Sequence, residues 1–316
     1  MNDSRLVSIV MPVYEPRQDW LLLAVRSALG QRGCRLELVV VDDGSTEPVE
    51  DLLGGIDDER LRVLRLPHGG TSVARNAGMA AARGDRVRFI DGDDVFTPDG
   101  TALLLDLLGD DENVIAYGAA VFCDESLRPV WTMSSTTQGD ARVESLLGLF
   151  DVRPWSMLFP RRVLEATGNW DPGLGISQDW DFIQRALEHA HVRGRPEVTT
   201  YYRKHSGGAT ADAEAGVEAA RVVVARYFER HPEERGTALE RRAQARVAAL
   251  SARIYLTHRQ PLPSLRCLGY ALARDPRAVG QEVAHALPAL RGRLRRSLLR
   301  APASLIPEEP QRAGSA

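Results

Sequence analysis

Three patterns in the 316-residue sequence predict an α/β protein with a doubly wound, mostly parallel central sheet flanked by helices and an α-helical C-terminal extension. Short apolar runs alternate with helix-period segments between residues 7 and 90, the runs end in acidic or polar clusters, and beyond residue 210 the pattern is helical throughout. Such alternation is what βαβ units produce, because a parallel strand pair needs a crossover long enough to lay a helix on the sheet.

In chain order, Val7 to Met11 is an apolar run closed by Pro12, and Leu36 to Val41 is a second one closed by Asp42 and Asp43. Unbroken apolar runs of this length suit strands buried on both faces. Trp20 to Leu29, between them, is apolar around most of its surface, as a crossover helix is, and Gly30 supplies the stop. Leu61 to Leu66 reads as a third strand, Ser72 to Ala82 as an alanine-rich helix stopped by Gly84, and Val87 to Ile90 as a fourth strand. From about residue 113 the pattern is mixed: a strand-like Val114 to Phe122, a polar loop, and an apolar stretch from Trp155 to Phe159. Helical segments follow at Glu214 to Arg230, Glu234 to His258 and Pro263 to Arg274, with a basic stretch to Arg300. The expected division is a catalytic domain over residues 1–210 and a helical region over 211–316 that supplies acceptor, oligomer or membrane contacts.

Composition narrows the function classes. With 44% hydrophobic residues, 26% charged residues and a formal net charge of -3, nothing points to a nucleic-acid partner. Lys204 is the only lysine, so the abundance of arginine reflects compositional bias rather than a phosphate-binding patch. Cys34, Cys123 and Cys267 are widely separated and lack zinc-ligand spacing, which fits a reduced, cytoplasmic setting. No window of about 20 apolar residues is present, so no spanning helix is expected.

Ligands of doubly wound sheets bind beyond the carboxyl ends of the strands. Pro12, Tyr14 and Glu15 follow the first strand, Asp42 and Asp43 the second, and Asp91-Gly92-Asp93-Asp94 the fourth. Several carboxylates so close together suit a hard divalent ion, Mn2+ or Mg2+, although alone they read equally well as a solvated acidic turn. One of Asp42 and Asp43 is placed to accept from the imide of a pyrimidine base, or to close an Asx turn. Gly69 and Gly70 precede the helix carrying Arg75, where backbone N–H groups and a guanidinium meet a diphosphate; a surface ion pair is the alternative for Arg75. A loop hinged at Gly173 and Gly175 leads to Gln178-Asp179-Trp180, where Asp179 serves as a general base or as a first-turn capping carboxylate. Trp155, Trp170, Gln178 and Trp180 are the acceptor-side candidates, with core packing preferred over sugar stacking for Trp170 and Trp180. His205 either completes a metal shell or is a satisfied polar residue.

In order, Ser8-Ile-Val-Met-Pro-Val-Tyr14, Val39-Val-Val-Asp-Asp-Gly-Ser45, Ala74-Arg-Asn-Ala-Gly78, Phe89-Ile-Asp-Gly-Asp-Asp94 and Gly168-Asn-Trp-Asp171 closely resemble family 2 glycosyltransferases of the Rossmann-like GT-A fold. The resemblance covers roughly the first 205 residues. It implies that Pro12, Tyr14 and Asp43 surround a uridine-type base with Asp42 close by, that Arg75 lies near the diphosphate, and that Asp91 touches the ribose side. It further implies that Asp93 and Asp94 form the metal end of an Asp-x-Asp element, that His205 joins the metal shell, and that Asp179 supplies the base. Gln178 replaces the first carboxylate of the family's Glu-Asp pair. The Gln-x-x-Arg-Trp element of processive synthases is absent, so single transfer from a nucleotide-diphosphate sugar to an unidentified acceptor is expected, with inversion.

Leu287, Leu290, Leu294 and Leu298 recur at helical spacing among Arg291, Arg293, Arg295, Arg296 and Arg300, giving a basic amphipathic segment suited to an anionic membrane or to packing on the catalytic domain. Pro288 and Gly292 weaken a long helix there. Among rival readings, a sugar nucleotidyltransferase wants a glycine-rich, arginine-containing loop after the first strand, and a phosphatase wants its Asp-x-Asp there. A binding protein without turnover is opposed by the presence of Asp91, Asp93, Asp94 and Asp179.

Overall fold

A computed structural model describes residues 5–205 and 212–295. Its first half is built from β1 (Leu6–Val13), α1 (Gln18–Leu29), β2 (Arg35–Asp42), α2 (Val49–Leu52), β3 (Leu61–Arg65), α3 (Thr71–Ala81) and β4 (Arg86–Phe89). These four strands are parallel, in the order β3-β2-β1-β4. Seven of the eight residues of β1, and seven of the eight in β2, are buried, which is why both read as continuous apolar runs. Helix α1 buries Leu21, Ala24, Val25 and Ala28 against one face. Helix α3 covers the other face closely: a Cβ added at Gly78 would stand 2.3 Å from Val10 Cγ1, so only glycine permits this approach.

Beyond β4 the chain forms β5 (Val95–Phe96), α4 (Gly100–Leu108), β6 (Val114–Cys123), β7 (Pro129–Met133), α5 (Arg142–Leu146), β8 (Met157–Pro160), α6 (Arg161–Thr167), α7 (Gln178–Ala186) and β9 (His191–Arg203). One sheet runs β3-β2-β1-β4-β8-β6-β9-β5, with β7 beside β6. Strand β8 enters antiparallel to both β4 and β6, β9 is parallel to β6, and β5 and β7 are antiparallel, so parallel pairing belongs to the first half and the second half is mixed. All ten residues of β6 are buried, and it pairs with β7, β8 and β9.

The C-terminal part consists of α8 (Ala213–Arg230), α9 (Ala238–Thr257), α10 (Pro261–Arg274) and α11 (Pro276–Arg295). Asp212 caps α8 by accepting from Glu214 N at 2.8 Å, and Thr237 caps α9, which therefore begins later than the expected Glu234. Val224, Tyr227 and Phe228 of α8 pack with Val247 of α9 onto Leu146 and Leu147 of the first part. Helix α11 runs through Pro288 and Gly292 to Arg295, so neither residue ends it. Leu298 and Arg300 lie outside the described residues. A cavity of about 650 Å³ opens between α8, α9 and α10, and none of its lining residues belongs to the acidic strand ends.

Candidate active site

The loops after β1 and β2 are locked together. Glu15, in a left-handed conformation at φ 44°, donates its N–H to Ser45 Oγ at 3.0 Å and accepts from Thr46 N and Oγ1 at 2.8 and 2.7 Å. A non-glycine residue there stores strain, and the three hydrogen bonds hold it. Pro12 is buried in β1, while Tyr14 is 52% exposed and stacks on His68 with ring centroids 4.2 Å apart.

The two aspartates after β2 both face inward. Asp42 accepts from Ser45 N at 2.9 Å and Val49 N at 3.3 Å and lies 3.3 Å from Arg65, so its carboxylate closes the loop that follows β2. Asp43 accepts from Gly69 N and Gly70 N, each at 2.8 Å, with His68 Nδ1 3.0 Å away. Gly70 adopts φ 90°, a conformation only glycine takes at low cost, so that its N–H turns toward Asp43. The N–H groups expected to meet a diphosphate thus hold the Asp43 carboxylate here.

Arg75, on the first turns of α3, is only 6% exposed. Its Nη2 donates to Asp91 Oδ1 at 2.8 Å and its guanidinium lies 4.6 Å over the Trp170 ring, while Nε and Nη1 are buried without a hydrogen-bond partner. Buried donors left open beside a carboxylate are what an anion would satisfy.

After β4, Gly92 packs on Val13 and separates Asp91 from Asp93. Asp93 Oδ2 lies 2.9 Å from His205 Nε2, and His205 meets Trp20 edge-on at 5.2 Å. Burial, with Asp91 adding to it, pushes the Asp93 carboxyl up, and His205 opposes. Asp94 is fully buried: Oδ1 accepts from Arg203 N at 2.8 Å and Oδ2 has no hydrogen-bond partner. Burial first, then the charges of Asp93 and Asp91, raise it well above the ordinary carboxylate value. Among the described residues no three His, Cys, Asp or Glu side chains are arranged as a closed metal shell. Asp93 and His205 do converge, and an octahedral ion held by one or two carboxylates takes its other ligands from water and substrate phosphate. The donor set therefore fits a divalent ion shared with a phosphorylated ligand.

Asp179 occupies the first turn of α7, after Ser177 in a left-handed conformation at φ 61°. Its Oδ2 receives Arg153 Nη1 at 2.7 Å and its Oδ1 accepts from Trp180 N at 2.9 Å. Burial pushes its carboxyl up, but the charges of Arg153 and Arg75 outweigh that and hold it below the ordinary value. Arg153 also pairs with Asp151 at 2.9 Å.

The acceptor-side candidates divide. Trp170 is wholly buried, stacked on Phe182 at 4.0 Å, and its backbone exchanges two 2.8 Å hydrogen bonds with Asn76, so its assignment to an acceptor surface is corrected to core packing. Trp180 packs on the α8–α9 cluster and donates to Ser145 O at 3.2 Å. Trp155 is 7% exposed and stacks on Tyr202, while Gln178 is partly exposed at the start of α7. Sequence reasoning missed His68, Arg153 and Arg203. His68 directly precedes the Gly69-Gly70 pair, a usable signal, whereas Arg153 precedes an apolar stretch without any motif.

Strand-end carboxylates, a guanidinium on the following helix and a carboxylate on a later helix define a GT-A glycosyltransferase architecture, and solved structures agree. The chain shares its fold with Staphylococcus aureus TarS (residues 1–349, in complex with UDP-GlcNAc): TM-score 0.56, 16% identity, covering 87% of this chain and 89% of that one. Residues 8–168 match glycosyl transferase family 2, and the chain belongs to that family. It is 30% identical over 202 residues to the succinoglycan biosynthesis protein ExoO of Rhizobium meliloti, covering 57% of this chain and 55% of that protein. An uncharacterized glycosyltransferase of Haemophilus influenzae is 34% identical over 122 residues, covering 38% of this chain and 48% of that protein. The chain thus spans about half the length of these relatives.

Proposed function

We propose that this protein transfers a single sugar from a nucleotide-diphosphate sugar, with UDP as the carrier, to an acceptor nucleophile with inversion, using Mn2+ or Mg2+. The observation that carries this reading is the position of Arg75. It hydrogen-bonds Asp91 of the acidic strand end, and its charge also lowers the carboxyl of Asp179. One guanidinium thereby acts on both Asp91 and the candidate base, while its Nε and Nη1 stay buried without a hydrogen-bond partner. The UDP-GlcNAc held by TarS supports a UDP-linked donor.

Tyr14 and Asp43 would meet the base and Arg75 the diphosphate, its buried donors gaining the partner they lack. Asp93 and His205, with Asp94 behind them, would hold the divalent ion, which when bound stabilises the charge growing on the leaving diphosphate. Asp179, ionised because Arg153 and Arg75 hold its carboxyl down, accepts the proton of the acceptor hydroxyl or amine as that atom attacks the anomeric carbon from the face opposite the diphosphate. A single displacement inverts that centre. Residues 1–210 would carry this chemistry and 211–316 acceptor, oligomer or membrane contacts. No described helix is long and apolar enough to cross a membrane.

Calorimetric titration with nucleoside diphosphates, with and without Mn2+, tests the donor side on wild type and Asp93→Ala. The reading expects UDP binding that needs the ion and is lost in the variant. Binding indifferent to both the ion and Asp93 would overturn the site.

A further inference from the structure

Nine large apolar side chains are exposed among the described residues, and seven of them fall between residues 256 and 287. Helix α10 is turned inside out. Its inner face carries Ser264, Cys267, Leu268 and Ala271, of which Ser264 and Ala271 are fully buried, with Ser264 Oγ donating to Ala252 O at 2.7 Å. Its exposed positions 262, 265, 269, 272 and 273 share one helical face and carry Leu, Leu, Gly, Leu and Ala. Helix α11 repeats the arrangement with Val283 and Leu287 exposed one turn apart while Ala278 and Glu282 are buried. Helix α10 buries small residues and exposes Leu262, Leu265 and Leu272, so these leucines have no partner among the described residues.

The charges on this surface have one sign. Arg259, Arg266, Arg274 and Arg277 are exposed, whereas the two acidic residues between 256 and 287 are not: Asp275 lies 3.5 Å from Arg242, and Glu282 is buried against Arg246 and Arg253. A second copy docked symmetrically would bring arginines against arginines. An apolar stripe whose exposed charges between residues 256 and 287 are all cations matches instead an anionic bilayer, where leucines enter the headgroup–acyl boundary and guanidinium groups meet lipid phosphates.

We propose that the outward faces of α10 and α11 dock this protein on an anionic membrane surface, through Leu262, Leu265, Leu272, Val283 and Leu287 and the arginines beside them. The surface begins upstream of the basic segment from Leu287 to Arg300. Its existence is independent of the sugar-transfer reading.

Flotation of the full chain with phosphatidylcholine vesicles, with and without phosphatidylglycerol, tests it. Wild type floats with the anionic vesicles and stays behind with the neutral ones. The variant Leu262→Ser/Leu265→Ser/Leu272→Ser, altered only at exposed positions, keeps its circular dichroism and loses flotation. Arg266→Gln/Arg277→Gln weakens partitioning roughly 25-fold, from about fivefold for each arginine near the surface. Equal recovery with both vesicle types overturns the proposal, as does unchanged flotation of the serine variant. A serine variant that instead converts an oligomer to monomer, with wild type failing to float, assigns the face to a second copy and also overturns it.

Discussion

Replacing Arg153 by Gln removes the cation 2.7 Å from the Asp179 carboxylate and leaves that carboxylate in place. Burial is the strongest influence on Asp179 and acts upward, so without Arg153 only Arg75 remains as a substantial opposing charge. The side chains of the pair are 34% and 26% exposed. A unit charge pair at about 4 Å and an effective dielectric of about 20 gives about 4 kcal/mol, and an exposed pair at most about 1 kcal/mol. For this half-buried geometry about 1.5 kcal/mol is appropriate. The acid limb of kcat/KM should therefore move to higher pH in Arg153→Gln, and less so in Arg153→Lys, while donor affinity is retained. The folded-state value of Asp179 lies below its ordinary 3.8, so its ionised form adds stability above that pH, and the contribution disappears as pH falls through the lowered value. Arg153→Gln should lose this contribution and unfold more readily at neutral pH. An acid limb that stays where it was, even with a slower enzyme, would refute the claim that Arg153 sets the ionisation of the base.

Three further outcomes follow from the same geometry. Asp179→Asn should lower turnover by about two to four orders of magnitude while calorimetric donor affinity is unchanged; near-normal turnover would remove Asp179 from the role of base. Gly78→Ala should destabilise the fold by about 1 to 3 kcal/mol in urea denaturation, since the new methyl meets Val10 at 2.3 Å. Trp170→Ala should cost about 3 to 5 kcal/mol by the same measurement, because the ring is buried and stacked on Phe182. A stable Trp170→Ala protein with a raised acceptor KM would return Trp170 to the acceptor surface.

The alternation of β1, α1, β2, β3, α3 and β4 was legible because strands buried on both faces must be apolar at every position, whatever they pack against. The acidic strand ends were legible for a related reason: polar residues that close an apolar run stand at the carboxyl edge of the sheet, where ligands bind. Sequence could not orient β8, which is four residues long, or make a strand of the two-residue β5. In β9 the charged and polar residues, Gly194 and Pro196 mask any period, although it pairs with β6 along most of its length. Nor did spacing separate Asp42, tied into its own turn, from Asp43, which binds the Gly69-Gly70 backbone.

The sequence by itself determined the parallel half-sheet, the chain positions of the strand-end carboxylates and the helical character of residues 213–295. Tertiary structure alone decided that Arg153 meets Asp179 across 26 residues, that Asn76 holds Trp170 in the core across 94, and that His205 reaches Asp93 across 112. It also decided that α10 presents leucine to the outside. Periodicity reports which side of an element is apolar, whereas the neighbour that side receives is chosen by the packing of the whole chain.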